Sequence, residues 1–302
     1  MTLLVDRDII ESQLKYNMAK TFQKLASTDP RTVMILDSLN LAFRWKHSGE
    51  TDFLEAYIKT VESLRKSYNC GKVIIACDKG SSSYRKRIYD DYKQNRKDKQ
   101  ALSTPEEQAA FERFFEEFMR VIDNFAETTN YPVFRFDKVE ADDVAAYIVK
   151  HRRDFNIDNV VLVSSDRDWD LLVAPDVMRF SYVTRKEVTW DNYHEHYEWT
   201  PEQYISIKCL QGDAGDNVPG VPGIGPKKAM ALIQQYETTY DIIASLPINS
   251  KYKYIQNLND FGGDRLILNY QLMDLLEFCE EAIGVENIDT INNTLEEYLN
   301  ES

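Results

Sequence analysis

Four short apolar runs, each closing on an acid or a few residues ahead of one, constrain this chain more than any other feature. They are Val33–Leu36 in TVMILDSLN, KVIIACD at Lys72–Asp78, YPVFRFD at Tyr131–Asp137 and NVVLVSSD at Asn159–Asp166. Continuous apolar runs of roughly four to eight residues fit strands buried on both faces of a parallel sheet. A less apolar strand is expected in MRFSYVT. Helical segments lie between these runs, at Phe53–Ser67, Pro105–Glu127 and Asp142–Arg153. The alternation predicts an α/β fold with a largely parallel central sheet flanked by helices. Ligands of such sheets sit beyond the carboxyl ends of the strands. Asp37, Asp78 and Asp166 end three of the runs and should share that edge.

More acids converge there. Glu140, Asp142 and Asp143 crowd the start of KVEADDVAAYIVK, just after the third run. Acids in a first helical turn gain about 0.3–1 kcal/mol each from the helix dipole, and one or two suffice for that. Asp168 follows Asp166, and Asp213 and Asp216 lie in the loop GDAGDN. Asp170 reads instead as the start of a helix into LLVA and stays outside the set. Unpaired buried charge is very costly, so clustered carboxylates call for cations. Oxygen ligands without Cys or His suit Mg²⁺, with Mn²⁺ as a substitute. Two such ions roughly 4 Å apart stabilise both the attacking and leaving oxygens of phosphoryl transfer.

The chain has 302 residues and a formal net charge of −14. That length suggests one large domain or two smaller ones. The acidic total argues against a nucleic-acid partner, whose affinity comes from Lys and Arg on phosphates. Surface charges are screened beyond about 8 Å, however, so a local basic tract can still bind. Lys79–Lys99 carries eight basic residues against three acidic ones, with Tyr84, Tyr89 and Tyr92 interleaved and Arg85 beside Tyr84. Cations for phosphates and rings for bases suit a nucleic-acid strand, at about 1–3 kcal/mol per stacked base. GVPGIGPKK at Gly220–Lys228 is neither a dinucleotide fingerprint nor a Walker loop. Its glycines still leave helix-start N–H groups free for a phosphate, and Lys227 and Lys228 add charge. HEH at His194–His196 reads as a surface turn.

Residues 1–30 read as a polar, partly helical extension ending at Asp29-Pro30, 31–195 as the α/β core, and 196–302 as a mainly helical region. Thr200-Pro201-Glu202-Gln203 has the form of a capping box. The four cysteines form no C-x-x-C pair and read as buried thiols in a reducing cytoplasm. No apolar run approaches the ~18 residues of a membrane span, and the first residues do not read as a signal peptide.

MILDSLNLAFRWKH, CDKG, YKQNR, VEADDVAAYIV, SSDRDWDLL, GDAGDNVPGVPGIGPKKA and KYKYIQNL occur in that order. Together they resemble the 5′-nuclease or flap-endonuclease family, nearest to the branch carried by T-five-like tailed phages. The resemblance covers roughly residues 31–280. It implies a two-metal, structure-specific nuclease acting on 5′ flaps, 5′ ends, branched DNA and RNA–DNA hybrid, in DNA replication. It implies a monomer in a bacterial cytoplasm. Asp37, Asp78, Glu140, Asp142 and Asp143 match the acids around one metal, and Asp166, Asp168, Asp213 and Asp216 those around the other. Tyr92, Lys93 and Arg96 match active-site residues on a helical arch at residues 80–110. Arg44 and Lys46 fall where relatives contact DNA. VPGIGPKKA matches a DNA-binding helix–turn–helix that holds K⁺ in relatives. Ser38 stands where relatives often have glycine.

Two other classes fit less well. A phosphatase with an Asp nucleophile on the first strand wants a second Asp two residues on, where this chain has Leu39. A DNA-binding module without catalysis has no use for Asp166 and Asp168 beside three other acidic clusters.

Overall fold

The computed structural model describes residues 28–300, so most of the expected N-terminal extension lies outside the described residues. Asp29 and Pro30 already belong to the first strand, β1 (Asp29–Asp37). β2 (Cys70–Ala76), β3 (Val133–Phe134), β4 (Asn159–Val163), β5 (Val177–Ser181) and β6 (Lys186–Val188) complete a six-stranded sheet of order β3-β2-β1-β4-β5-β6. All neighbours are parallel except β5 and β6. The register sets Asp37 beside Ala76 and Leu36 beside Val163. Asp78 and Asp166 therefore leave the sheet at the same edge as Asp37.

Successive strand residues face opposite sides, and each side builds its own core. Val33, Ile35, Ile74, Val160 and Leu162 pack on one face against α6 (Ala141–Lys150). Met34, Leu36, Val73, Ile75, Val161 and Val163 pack on the other against α1 (Ser38–Ser48), α2 (Leu54–Ser67) and α5 (Pro105–Thr128). Glu117 of α5 accepts from the N–H groups of Phe53 and Leu54 at 3.0 and 3.2 Å. It thereby caps α2, which has no side-chain cap of its own. Between β2 and α5 lie two short helices, α3 (Ser83–Ile88) and α4 (Gln94–Ala101).

The third run yields only Val133–Phe134 as strand, not Tyr131–Asp137. It is an edge strand, paired to β2 alone, and its polar Arg135 and Asp137 gain nothing from deeper insertion. The expected helix Asp142–Arg153 spans Ala141–Lys150, with Glu140 at its N-cap.

Beyond residue 196 the helices are α7 (Pro201–Gln211), α8 (Pro226–Tyr236), α9 (Thr239–Ala244), α10 (Lys253–Met273, interrupted at Gly262), α11 (Leu275–Ile283) and α12 (Val285–Asn300). Gln203 accepts from the Thr200 N–H at 3.1 Å, as the capping box requires. Ile207, Leu210, Ile224, Leu232, Ile233 and Leu258 give α7 to α10 a core of their own. The last two helices do not stay with them. Leu275, Cys279, Ile283, Ile291 and Leu295 return to cover the α6 face of the sheet. The four cysteines are free and buried. Among the described residues, no helix is long and apolar enough to cross a membrane.

Candidate active site

Each acid is brought to the sheet edge by its element's end. Asp37 N-caps α1, accepting from the Asn40 N–H at 3.2 Å, and takes a second bond from the Ser164 hydroxyl at 2.7 Å. Asp78 accepts from the Ala141 N–H at 2.8 Å, which ties the β2 end to the start of α6. Asp142 accepts from Trp169 Nε1 at 2.6 Å. Asp166 N-caps a 3₁₀ turn (Arg167–Leu172) through the Asp168 N–H at 3.0 Å. None of these four carboxylates forms an ion pair with Lys or Arg among the described residues. They feel one another instead. Burial, then Asp78 and Asp166, push Asp37 up to about 8. Burial, then Asp166, Asp78 and Asp37, push Asp142 far above the carboxylate range. Asp78 and Asp166 are raised too, by burial first and then by Glu140 and Asp168 respectively.

The remaining acids are held by cations. Lys93 Nζ lies 2.8 Å from Glu140 and 3.9 Å from Asp216. Arg96 pairs with Asp216 at 2.5 Å. The Tyr92 hydroxyl sits 3.0 Å from both Glu140 and Asp216. Burial would raise Glu140, but Lys93 and Arg85 outweigh it and pull it down to about 2. Burial would lower Lys93, but Glu140, Asp216 and Asp142 hold it raised. The backbone joins in. Lys93 N–H donates to Asp216 O at 2.9 Å, and Asn95 Nδ2 to Ala214 O at 2.8 Å, so the base of the basic tract is sewn to the Asp213–Asp216 loop.

Sequence reasoning missed Lys208. It bridges Asp168 and Asp213, 3.2 Å from the latter, and is 7% exposed. The signal was a lysine inside an otherwise apolar stretch of a well-capped helix, five residues before Asp213. Among the described residues, no three Asp, Glu, His or Cys groups converge as a ready-made cation cage. The donor set nevertheless fits a divalent cation. Asp37, Asp78, Asp142 and Asp166 are oxygen donors only, each raised by burial and by its neighbours and none in an ion pair among the described residues.

Three expectations need correction. Arg85 is 1% exposed and grips Asp143 with two bonds of 2.8 Å. Its guanidinium is turned to Asp143 rather than to an open surface, and both Asp143 oxygens take part in that pairing. Tyr84 is 6% exposed and stacks on Phe278 at 6.1 Å, and Tyr92 is 2% exposed. These rings face the helices beneath rather than a strand, since their apolar area is worth more buried. The Arg85–Asp143 pair carries a stability prediction. Arg85→Met leaves Asp143 buried and unpaired, so unfolding free energy should fall by about 3–5 kcal/mol in urea melts; a loss under ~1 kcal/mol would count against the pair's role.

The outer cations are more open. Arg44 lies between Trp45 and Tyr182, with ring centroids at 5.4 and 4.6 Å. Lys46 lies over Phe111 at 4.3 Å and is lowered by partial burial. Lys227 and Lys228 are exposed at the start of α8, and Lys228 donates to Gly223 O at 2.7 Å. His194–His196 form one helical turn and join no metal-binding group among the described residues.

A parallel sheet with acids from three strand ends, a helix start and one loop defines a phosphoryl-transfer class of site. Two family models span nearly all of the described chain: a 5′-3′ exonuclease N-terminal resolvase-like domain over residues 32–198 and a 5′-3′ exonuclease C-terminal SAM fold over 199–294. The chain belongs to the 5′-3′ exonuclease family. It is similar to the flap endonuclease of Escherichia phage T5, with 41% identity over 271 residues, 89% of this chain and 92% of that protein. It is also 27% identical to the flap endonuclease Xni of Shewanella loihica, over 70% of this chain and 80% of that one. A bacteriophage T5 flap endonuclease, solved as a pseudo-enzyme–product complex with DNA and metal ions, superposes with a TM-score of 0.84 at 40% identity, covering 89% of this chain and all of that one. A T5 5′-exonuclease with zinc bound superposes equally well, at 0.84 and 40% identity over 89% of this chain and 99% of that one. This chain is a phosphodiester hydrolase of the flap-endonuclease and 5′-3′ exonuclease type.

Proposed function

We propose that the chain hydrolyses 5′ flaps and 5′ ends of DNA or RNA–DNA hybrid, as a monomer, with two Mg²⁺ ions at the sheet edge. The observation that carries this is the set of four carboxylates raised by burial and by neighbouring acids, Asp37, Asp78, Asp142 and Asp166, none of them in an ion pair among the described residues. Asp37, Asp78, Glu140 and Asp142 would hold one ion, and Asp166, Asp168, Asp213 and Asp216 the other. Bound there, the ions would polarise the scissile phosphate and stabilise charge on the attacking and leaving oxygens. The protein's own part is positioning. Lys93 and Arg96 stand at the rim of the acids, so a phosphate brought to the basin meets two cations already aimed there. Tyr92 fixes Glu140 relative to Asp216 from below. K⁺ would be held by carbonyls of the Gly220–Lys228 turn, of which Val221 O, Pro222 O, Gly223 O and Gly225 O already accept hydrogen bonds within the protein.

A labelled 5′ flap incubated beside a labelled 3′ flap, with and without Mg²⁺, tests the reading. Release should come from the 5′ flap alone and only with Mg²⁺; cleavage of the 3′ flap, or undiminished cutting in a chelator, would reject it. The α8 lysines give a second check. Lys227→Ala with Lys228→Ala should weaken binding alike across sequences, because phosphate contacts carry no base information. The slope of log K against log salt should flatten by about one unit for each phosphate no longer neutralised. An unchanged slope would place that turn away from DNA.

A further inference from the structure

Asp170 belongs to neither group of acids, yet it is fully buried. Both its oxygens face Arg179, with Nε on Oδ1 at 2.5 Å and Nη2 on Oδ2 at 2.7 Å, and the Tyr197 hydroxyl donates to Oδ2 as well. The third guanidinium nitrogen, Nη1, donates to the Ser164 carbonyl at 2.9 Å. Ser164 is the joint between two of the crowded acids. Its hydroxyl donates to Asp37 at 2.7 Å and accepts from the Asp166 N–H at 3.1 Å. The 3₁₀ turn that carries Asp170 also carries Asp168 and Trp169, and Trp169 donates to Asp142. One buried ion pair thus braces the strand end and the turn from which Asp37, Asp142, Asp166 and Asp168 take their directions.

Stability is a weak reason for such a pair. Replacing a buried ion pair by well-packed apolar groups is often neutral or stabilising. Its three-way reach is better explained by geometry. We propose that Asp170 and Arg179 are positioning residues of the nuclease site. They hold Ser164 so that its hydroxyl presets Asp37 and Asp166 to receive a divalent cation. This rests on the cation reading given above. Groups that orient metal ligands are worth about 10–100-fold in affinity or activity.

The test compares the full-length wild type with three variants: Asp170→Leu/Arg179→Met, Ser164→Ala and their combination. Mn²⁺ uptake is followed by calorimetry without DNA, together with Tm and with kcat and KM on a 5′ flap. Asp170→Leu/Arg179→Met should bind Mn²⁺ about 10–100-fold more weakly, with kcat reduced, KM little changed and Tm close to wild type. Ser164→Ala should show a similar loss, and the combination should be far from additive, because both act through one hydroxyl. Wild-type Mn²⁺ affinity in the double variant, or additive losses in the combination, would overturn the proposal. Should the double variant fail to fold, Arg179→Lys decides. It keeps the charge opposite Asp170 but lacks the fork that reaches Ser164, so unchanged Mn²⁺ affinity there overturns the proposal. A wild type that takes up no Mn²⁺ would remove the cation reading itself, which is a separate result.

Discussion

Lys93→Ala should lower kcat by about 10²–10³ while leaving KM for a 5′ flap within a few fold. The reason lies in where the side chain ends. Its ammonium is 2.8 Å from Glu140 and largely buried, so it is aimed at the acids rather than at solvent. Its backbone takes the left-handed conformation, φ 54°, at the N-cap of α4, and its N–H is fixed to Asp216 O. A cation held this firmly loses little entropy on meeting developing charge, which favours the transition state over the ground state. Arg96→Ala should behave similarly. Tyr92→Ala should damage both activity and stability, since that ring is core. Single-turnover rates separate the chemical step from product release. A Lys93→Ala enzyme with wild-type kcat would exclude a catalytic role for this lysine.

Asp166→Asn should abolish measurable cutting and leave 5′-flap affinity nearly intact. Asparagine can still accept from the Asp168 N–H, so the 3₁₀ turn keeps its cap. What disappears is a member of the carboxylate set that raises both Asp37 and Asp142. Two opposite thermal effects should follow. In chelator the variant should melt higher than wild type, because repulsion within the basin is relieved. With Mg²⁺ the wild type should gain stability and the variant much less, since stabilisation by a ligand tracks its affinity. Turnover near wild type in saturating Mg²⁺, or equal Mg²⁺-induced shifts in Tm, would refute the assignment of Asp166.

Much of this was legible in the chain itself. The apolar runs announced buried parallel strands, and the acids closing them announced the edge at which a ligand would sit. Both are local signals: a strand buried on two faces has no room for polar residues, and its end is where they reappear. The capping box at Thr200 was equally local. What the sequence could not state was which charge meets which. Arg85 and Asp143 are 58 residues apart, Lys208 and Asp168 are 40 apart, and Ser164 and Asp37 are 127 apart. A basic tract rich in tyrosine suits a nucleic-acid strand, yet packing turned Tyr84, Arg85 and Tyr92 inward, toward apolar helices and two waiting carboxylates. Charge and ring content determined that the tract would interact strongly with something. Only the tertiary structure decided its partner, because the cost of leaving Glu140 and Asp143 buried and unpaired exceeds what an exposed arginine or tyrosine gains from solvent.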